Sequence, residues 1–158
     1  MKTVAAAILL LVGASLMAQD AGEVDRFNQI VDFSMTTKRL SELIDAGAWD
    51  QIDTDRYFVL QGAVASTTVL DPTPQSYFAL VELVDGEWIG LEDIGIYRVQ
   101  VILEGPEFAG LVPARMPRDP GPEVLRTNDE LVVVGRFEFL PLTDGSSLPV
   151  VRAYQLRR

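Results

Sequence analysis

The feature that most constrains this chain is a change of hydrophobic period between residues 46 and 56. Before that point, apolar residues recur at helical spacing in two stripes. These are Val24, Phe27 and Val31, and then Leu40, Leu43 and Ile44. After that point, segments rich in β-forming residues follow one another to residue 156. The pattern predicts a mostly β domain that is preceded by a short N-terminal helical segment.

The helical segment is predicted to be one kinked helix or two short ones. Ser34 to Thr37 offers a break and a new N-cap, and Gly47 is a C-terminal stop signal. Amphipathic stripes of this kind usually face the core of their own domain, so both stripes are expected to be packed.

Five strands are predicted, and the third alternates most clearly because Val99, Val101 and Leu103 share one side. A loop over Thr68 to Gln75 ends the first strand, and Asp85-Gly86 is a tight-turn signal after the second. A long proline-rich connection, 105–129, separates the third and fourth strands, and a turn at 143–147 separates the last two. The predicted strands are Arg56–Ala65, Tyr77–Val84, Tyr97–Glu104, Leu131–Phe139 and Leu148–Leu156.

The first 18 residues predict export. Lys2 supplies a positive start, the apolar run extends from Val4 to Leu16, and the small residues after it allow cleavage after Ala18 or, alternatively, after Ser15. The apolar run is shorter than the roughly 20 residues that span a bilayer. We therefore divide the chain into a signal peptide (1–18), a helical segment (19–50) and a β domain (51–158), with no transmembrane segment once the signal is removed.

The composition excludes several chemistries. The chain has no Cys and no His, which removes the usual catalytic triads, thiolate metal sites and disulfides. Losing Lys2 with the signal would leave 12 basic against 23 acidic residues, a net charge of about −11 that repels nucleic acid. We predict no catalytic residue, no metal site and no cofactor. A carboxylate-dependent enzyme stays an alternative, and the acidic cluster at Asp50, Asp53 and Asp55 is interpreted as a solvated linker rather than a calcium site.

The order of the elements suggests a family. Gly62 lies within the first strand, a long connection precedes the fourth, and the segment 128–137 with 148–156 resembles the closing strands of an OB-fold. With the export signal, residues 35–158 are similar to the small periplasmic OB-fold proteins of bacteria. The resemblance implies a five-stranded, partly open OB-like barrel that binds ligands on the face of its second and third strands.

The resemblance places a binding face on the second and third predicted strands. Arg115 and Arg118, in the only locally basic stretch, are candidates for contact with an anionic partner, although nearby acids such as Asp119 offer them ion pairs instead. The predicted ligand- or partner-binding residues are Phe78, Leu80, Arg98, Gln100, Ile102, Arg115 and Arg118.

The function predicted from these observations is that of a non-catalytic envelope protein, periplasmic or alternatively secreted, that binds an envelope protein or a small ligand. A single-stranded oligonucleotide binder is a further alternative. It is disfavoured because the predicted face lacks the mixture of aromatic and basic side chains that holds bases and phosphates.

Overall fold

The computed structural model describes residues 22–138 and 148–158, so the predicted signal peptide and the turn at 143–147 lie outside the described residues. Residues 22–30 are helical (α1), and short 3-10 helices occupy Trp49–Gln51 and Pro106–Phe108. No helix in the described ranges is long and apolar enough to cross a membrane. The remaining elements are β1 (Val31–Asp32), α2 (Thr37–Asp45), β2 (Tyr57–Asp71), β3 (Phe78–Ile89), β4 (Asp93–Glu104), β5 (Glu130–Glu138) and β6 (Val150–Arg157).

The six strands form one sheet that closes in a ring. The strand order is β1-β2-β3-β4-β6-β5, and β5 also pairs with β2, which closes the ring. The 15-residue strand β2 makes this possible because its first half pairs with β5 and its second half with β3. Gly62 lies near the crossover, where a Cβ would come within 2.9 Å of the carbonyl oxygen of Val84. The mostly β fold predicted from the sequence is confirmed.

Alternation along the strands fills the ring with apolar side chains, as the pattern of β4 predicted. Val99, Val101 and Leu103 are all fully buried. Helix α2 adds its own stripe of Leu40, Leu43 and Ile44 to the same core. The prediction that the second helical stripe is packed is therefore confirmed.

Both ends of α2 are where the sequence places them. The Thr36 side chain accepts a hydrogen bond from the backbone N–H of Arg39 at 3.1 Å, as an N-cap does. Gly47 follows the helix with a φ of +68°, a conformation that glycine adopts without strain.

The prediction that the first helical stripe is packed was wrong. Val24 and Phe27 on α1 are 58% and 54% exposed, whereas Val31 is buried in strand β1. The reason is that the helix ends before Val31. Val31–Asp32 is an extended strand that pairs in parallel with the start of β2, so Val31 does not share a helix face with Val24 and Phe27. Arg56 holds this segment by donating to the carbonyls of Asn28 and Val31.

Two predicted turns were also wrong. Strand β2 continues to Asp71, and Asp85 and Gly86 lie inside β3 opposite residues of β4. The turn of the β3–β4 hairpin lies instead at residues 90–92, where Gly90 has a φ of +71°. A continuous ladder of 12 residue pairs between β3 and β4 overrides the local turn preference of Asp-Gly.

The connection 105–129 has neither α-helix nor strand, as predicted, but it is packed against the core. Phe108, Val112 and Leu125 belong to the buried cluster. The buried hydroxyl of Tyr77 donates a hydrogen bond to the Val112 carbonyl, and burial raises the pKa of Tyr77. This bond attaches the connection to the start of β3.

Candidate interaction surface

The β3–β4 hairpin carries the face that was predicted to bind. Its cross-strand pairs include Leu80 with Ile102 and Val84 with Arg98, and directly paired residues point to the same side of a sheet. The pattern of burial shows that the residues between them, such as Val81 and Val101, face the core. The structure therefore brings together five of the predicted residues on the outer face of this hairpin: Phe78, Leu80, Arg98, Gln100 and Ile102.

Half of this hairpin extends past its neighbouring strands. Strand β2 pairs with β3 only as far as Val84, and β6 pairs with β4 only over residues 100–102. Within the described ranges, residues 85–97 therefore form a two-stranded ribbon with no further strand on either side. We call this part, including its turn, the ribbon.

The outer face of the ribbon is apolar and exposed. Trp88 is 68% exposed and pairs directly with Ile94, which is 54% exposed. Ile96 lies on the same side and is 58% exposed. Most exposed apolar residues on a protein surface occur singly, so three large ones together on an ordered strand pair make this face a candidate interaction surface. We call Trp88, Ile94 and Ile96 the apolar patch.

The face between the apolar patch and the other end of the hairpin is polar and paired. Arg98 forms an ion pair with Glu82 at 3.5 Å, and the Ser66 hydroxyl donates to the same carboxylate at 3.1 Å. Arg98 is therefore oriented along the hairpin by its own neighbours.

Ile102 lies on the predicted side of the sheet but is fully buried, so it offers no surface to a partner. Its strand is flanked by β3 and β6, which place Leu80 and Arg152 directly beside it. Arg152 is held across the sheet by Glu104 and by two bonds of 2.7 Å to Glu138. Phe78 and Leu80 are half-buried, so the accessible apolar area lies at the ribbon rather than around Ile102.

The opposite face of the ribbon is fixed against α2. Lys38 binds Glu87 and lies 5.5 Å from the centre of the Tyr97 ring. The hydrogen bond to Glu87 is the main reason that the pKa of Lys38 is raised. Because α2 contacts this side, the apolar patch on the other side is the one that faces outward.

Arg115 and Arg118 do not join this surface. Both are exposed on the connection 105–129, which starts at the far end of the hairpin. Trp88 lies ten positions after Phe78 on β3, which is roughly 33 Å of extended chain. Neither arginine makes an ion pair within the described residues, whereas Arg126 donates to the carbonyl of Pro120 at 3.0 Å.

A cleft lies beside the crossover in β2. It encloses about 640 Å³, and its lining includes the carboxylates of Asp85 and Glu130 and no basic side chain. Such a lining disfavours an anionic ligand. The acidic cluster of Asp50, Asp53 and Asp55 is exposed elsewhere, and the described residues contain no group of three metal-binding side chains.

Sequence reasoning missed two groups of residues. One is the apolar patch, which was hidden because Asp85-Gly86 was interpreted as the end of the strand. The other is a cluster on β2, β5 and β6, where Arg136 lies 4.3 Å above the ring of Tyr57, and Tyr154 packs edge-on against that ring at 5.1 Å. Residues so far apart in the sequence can be grouped only when the strand pairing is known.

Comparison with known proteins leaves the geometry as the basis for a functional conclusion. The chain matches no protein family model and no curated protein.

Proposed function

We propose that this protein is an exported, non-catalytic interaction module that binds a protein partner through the outer face of the ribbon. The observation that carries the proposal is the apolar patch, in which Trp88, Ile94 and Ile96 are each more than half exposed on an ordered strand pair. Tryptophan and large aliphatic side chains in such a position supply most of the binding energy when a partner covers them.

The proposal includes an OB-like barrel as the scaffold. Three features of the ring support it: the order β2-β3-β4-β6-β5 returning to β2, the parallel pairing of β4 with β6, and the long connection before β5. In an OB-fold the second and third strands carry the ligand, and here these are β3 and β4. The ribbon then extends the ligand-binding face beyond the barrel.

The charge of the surface indicates the kind of partner. Glu92 lies in the turn beside the apolar patch, and three further carboxylates, Asp85, Glu87 and Asp93, lie on the other face of the ribbon, where Lys38 pairs with Glu87. An apolar groove rimmed by Lys or Arg complements such a surface, whereas a phosphate backbone does not. We place this partner in the periplasm or, alternatively, outside the cell, as the export signal suggests. A neutral or cationic small ligand in the cleft beside β2 is the alternative.

The experiment is affinity capture from envelope extract with three forms of the exported protein. The first is the parent chain. The second carries Trp88→Thr and Ile94→Thr, which remove the apolar area but keep residues that favour strands. The third is a matched control with Val24→Gln and Phe27→Gln, because these residues are equally exposed on α1.

The proposal expects a partner that the parent and the α1 control bind equally and that the ribbon variant binds at least about tenfold more weakly. A partner that the ribbon variant binds as well as the parent would contradict the proposed surface. Failure of the parent to bind any protein would contradict the proposed function and favour the small ligand.

A further inference from the structure

The connection 105–129 is anchored on both sides of its middle. On the upstream side, Val112 is buried, and its carbonyl accepts the hydrogen bond from the Tyr77 hydroxyl. On the downstream side, Leu125 is buried, and its backbone N–H donates to the carbonyl of Leu111 at 2.8 Å. This last bond brings the two sides together, so the residues between them form a loop whose ends are fixed.

The middle of the connection has no such anchor. Residues 114–119 are all exposed, including Met116 at 53%. The backbone N–H and C=O groups of residues 113–119 form no hydrogen bond with another described residue. Pro113 and Pro117 have no N–H to donate, which disfavours regular structure here. We call residues 113–119 the exposed segment.

The two parts of the chain that the structure does not describe attach elsewhere. Residues 139–147 join the described chain beside Gln100, in the middle of β4, and residue 22 leads through α1 to the start of β2. The anchor at Tyr77 precedes β3, at the end of the hairpin away from the ribbon. Both attachments therefore lie toward the other end of the sheet from this anchor.

The exposed segment fits what an endopeptidase needs. Such an enzyme binds its substrate in an extended form, so bonds inside helices, strands or packed loops are cut only after local unfolding. Exposed loops without backbone hydrogen bonds are therefore the preferred places for cleavage. The exposed segment carries Arg115 and Arg118, and trypsin-like enzymes recognise arginine by pairing its guanidinium with a carboxylate in their specificity pocket.

The other basic residues of the described ranges are less accessible to such an enzyme. All of them lie in a helix or a strand except Arg56, Arg126 and the last residue, Arg158. The backbone N–H groups of Arg56 and Arg126 donate to Asp53 and Asp129. The exposed segment thus combines the required side chain with an unbonded backbone.

We propose that the Arg115–Met116 bond is a processing site for a serine endopeptidase of trypsin-like specificity. Arg118 is the poorer site because Asp119 follows it, and an acidic residue directly after the bond slows such enzymes. The reaction consumes one water molecule, whose oxygen bonds to the Arg115 carbonyl carbon as the bond to the Met116 nitrogen breaks. Both protons of the water end on that nitrogen, which leaves a carboxylate on Arg115 and an ammonium group on Met116.

Cleavage leaves a two-chain protein that stays folded. The downstream chain carries β5 and β6, and these strands pair with β2 and β4 of the upstream chain. Leu131, Val133 and Val151 of the downstream chain are buried in the shared core. The ring therefore holds the two chains together without the peptide bond. This inference does not rest on the proposed function, since it does not involve the ribbon.

The test is limited digestion of the purified exported protein with trypsin, followed by measurement of intact masses. The parent is compared with Arg115→Gln/Arg118→Gln. The matched control is Arg26→Gln/Arg157→Gln, which removes the same number of exposed arginines elsewhere. Far-UV circular dichroism verifies that all three forms fold, and size-exclusion chromatography of the cleaved parent shows whether its two chains stay together.

The first cut within the β domain of the parent and the control should follow Arg115 and occur at the same rate in both. The Arg115→Gln/Arg118→Gln variant should be cut in this domain at least about tenfold more slowly. The two chains of the cleaved parent should elute together and separate only in urea. A first cut inside a strand, an equal rate in the variant, or separate elution of the two chains would overturn the inference.

Discussion

The buried hydroxyl of Tyr77 offers the sharpest test of how the long connection is held. Tyr77 is 2% exposed, and its O–H donates to the carbonyl of Val112, which is 3% exposed. Replacing Tyr77 with Phe keeps the ring in the core and removes only this donor. The carbonyl then stays buried without its partner.

The expected cost follows from that carbonyl. Leaving a buried polar group unpaired lowers the free energy of unfolding by about 1–3 kcal/mol. With a urea m-value of about 2 kcal/mol/M, a loss of about 2 kcal/mol lowers the unfolding midpoint by about 1 M while the m-value stays unchanged. Urea unfolding followed by tryptophan fluorescence measures this shift.

Tyr154→Phe is the matched control because Tyr154 is 53% exposed, and its loss of a hydroxyl should change stability by less than about 0.5 kcal/mol. If Tyr77→Phe is as stable as the control, the hydrogen bond to Val112 does not hold the connection, and the reasoning is refuted.

The pH dependence supplies a second check on Tyr77. Burial raises its pKa in the folded state, so its neutral form contributes fully to stability below the ordinary tyrosine pKa of about 10. The contribution is lost as the pH rises through the folded pKa, because the unfolded chain ionises first. The stability difference between the parent and Tyr77→Phe should therefore shrink above about pH 10.

Two further predictions concern the closure of the ring and the attachment of α1. Gly62→Ala and Gly135→Ala would place a Cβ at 2.9 Å and 2.5 Å from backbone oxygens, so each should lower the free energy of unfolding, measured in urea, by about 1–3 kcal/mol. Gly110→Ala, which has open space around it, is the control and should lower it far less. Burial acts to raise the pKa of Asp32, but hydrogen bonds from a neighbouring serine and the charge of Arg56 lower it overall. The ionised Asp32 side chain therefore contributes to stability above about pH 4, and this contribution is lost as the pH falls through the pKa of the folded state. Proteolysis at residues 22–32 should accelerate in acid in the parent, and it should already be fast at neutral pH when Arg56 is changed to Gln. A cleavage rate in the parent that does not depend on pH would contradict this.

Much of the fold could be predicted because its signals are local. The alternation of Val99, Val101 and Leu103 and the stripe on α2 specify which side of each element is buried, and they do so without knowledge of the neighbours. The errors arose where a long-range contact outweighs a local preference. Asp85-Gly86 favours a turn by itself, but pairing with β4 keeps it in the strand.

The candidate surface was predictable only in part for the same reason. The spacing of Leu80, Arg98 and Gln100 indicates a shared face, and the register agrees. The burial of Ile102 depends on Arg152, which is 50 residues away in the sequence, and the exposure of Trp88 depends on where β2 and β6 stop pairing. The residues around the positions where these two pairings stop carry no sequence signal for it.

The long strand β2 has a consequence for how fast the chain reaches its native state. The β3–β4 hairpin joins neighbours in the sequence and can form early, whereas the pairing of β2 with β5 joins residues such as Phe58 and Gly135 that are far apart. Forming such a contact requires closing a large loop, which slows folding in proteins dominated by nonlocal pairs. Until that last pairing forms, β2 and β5 each present an open edge, so the interval before ring closure is when the chain is most exposed to aggregation.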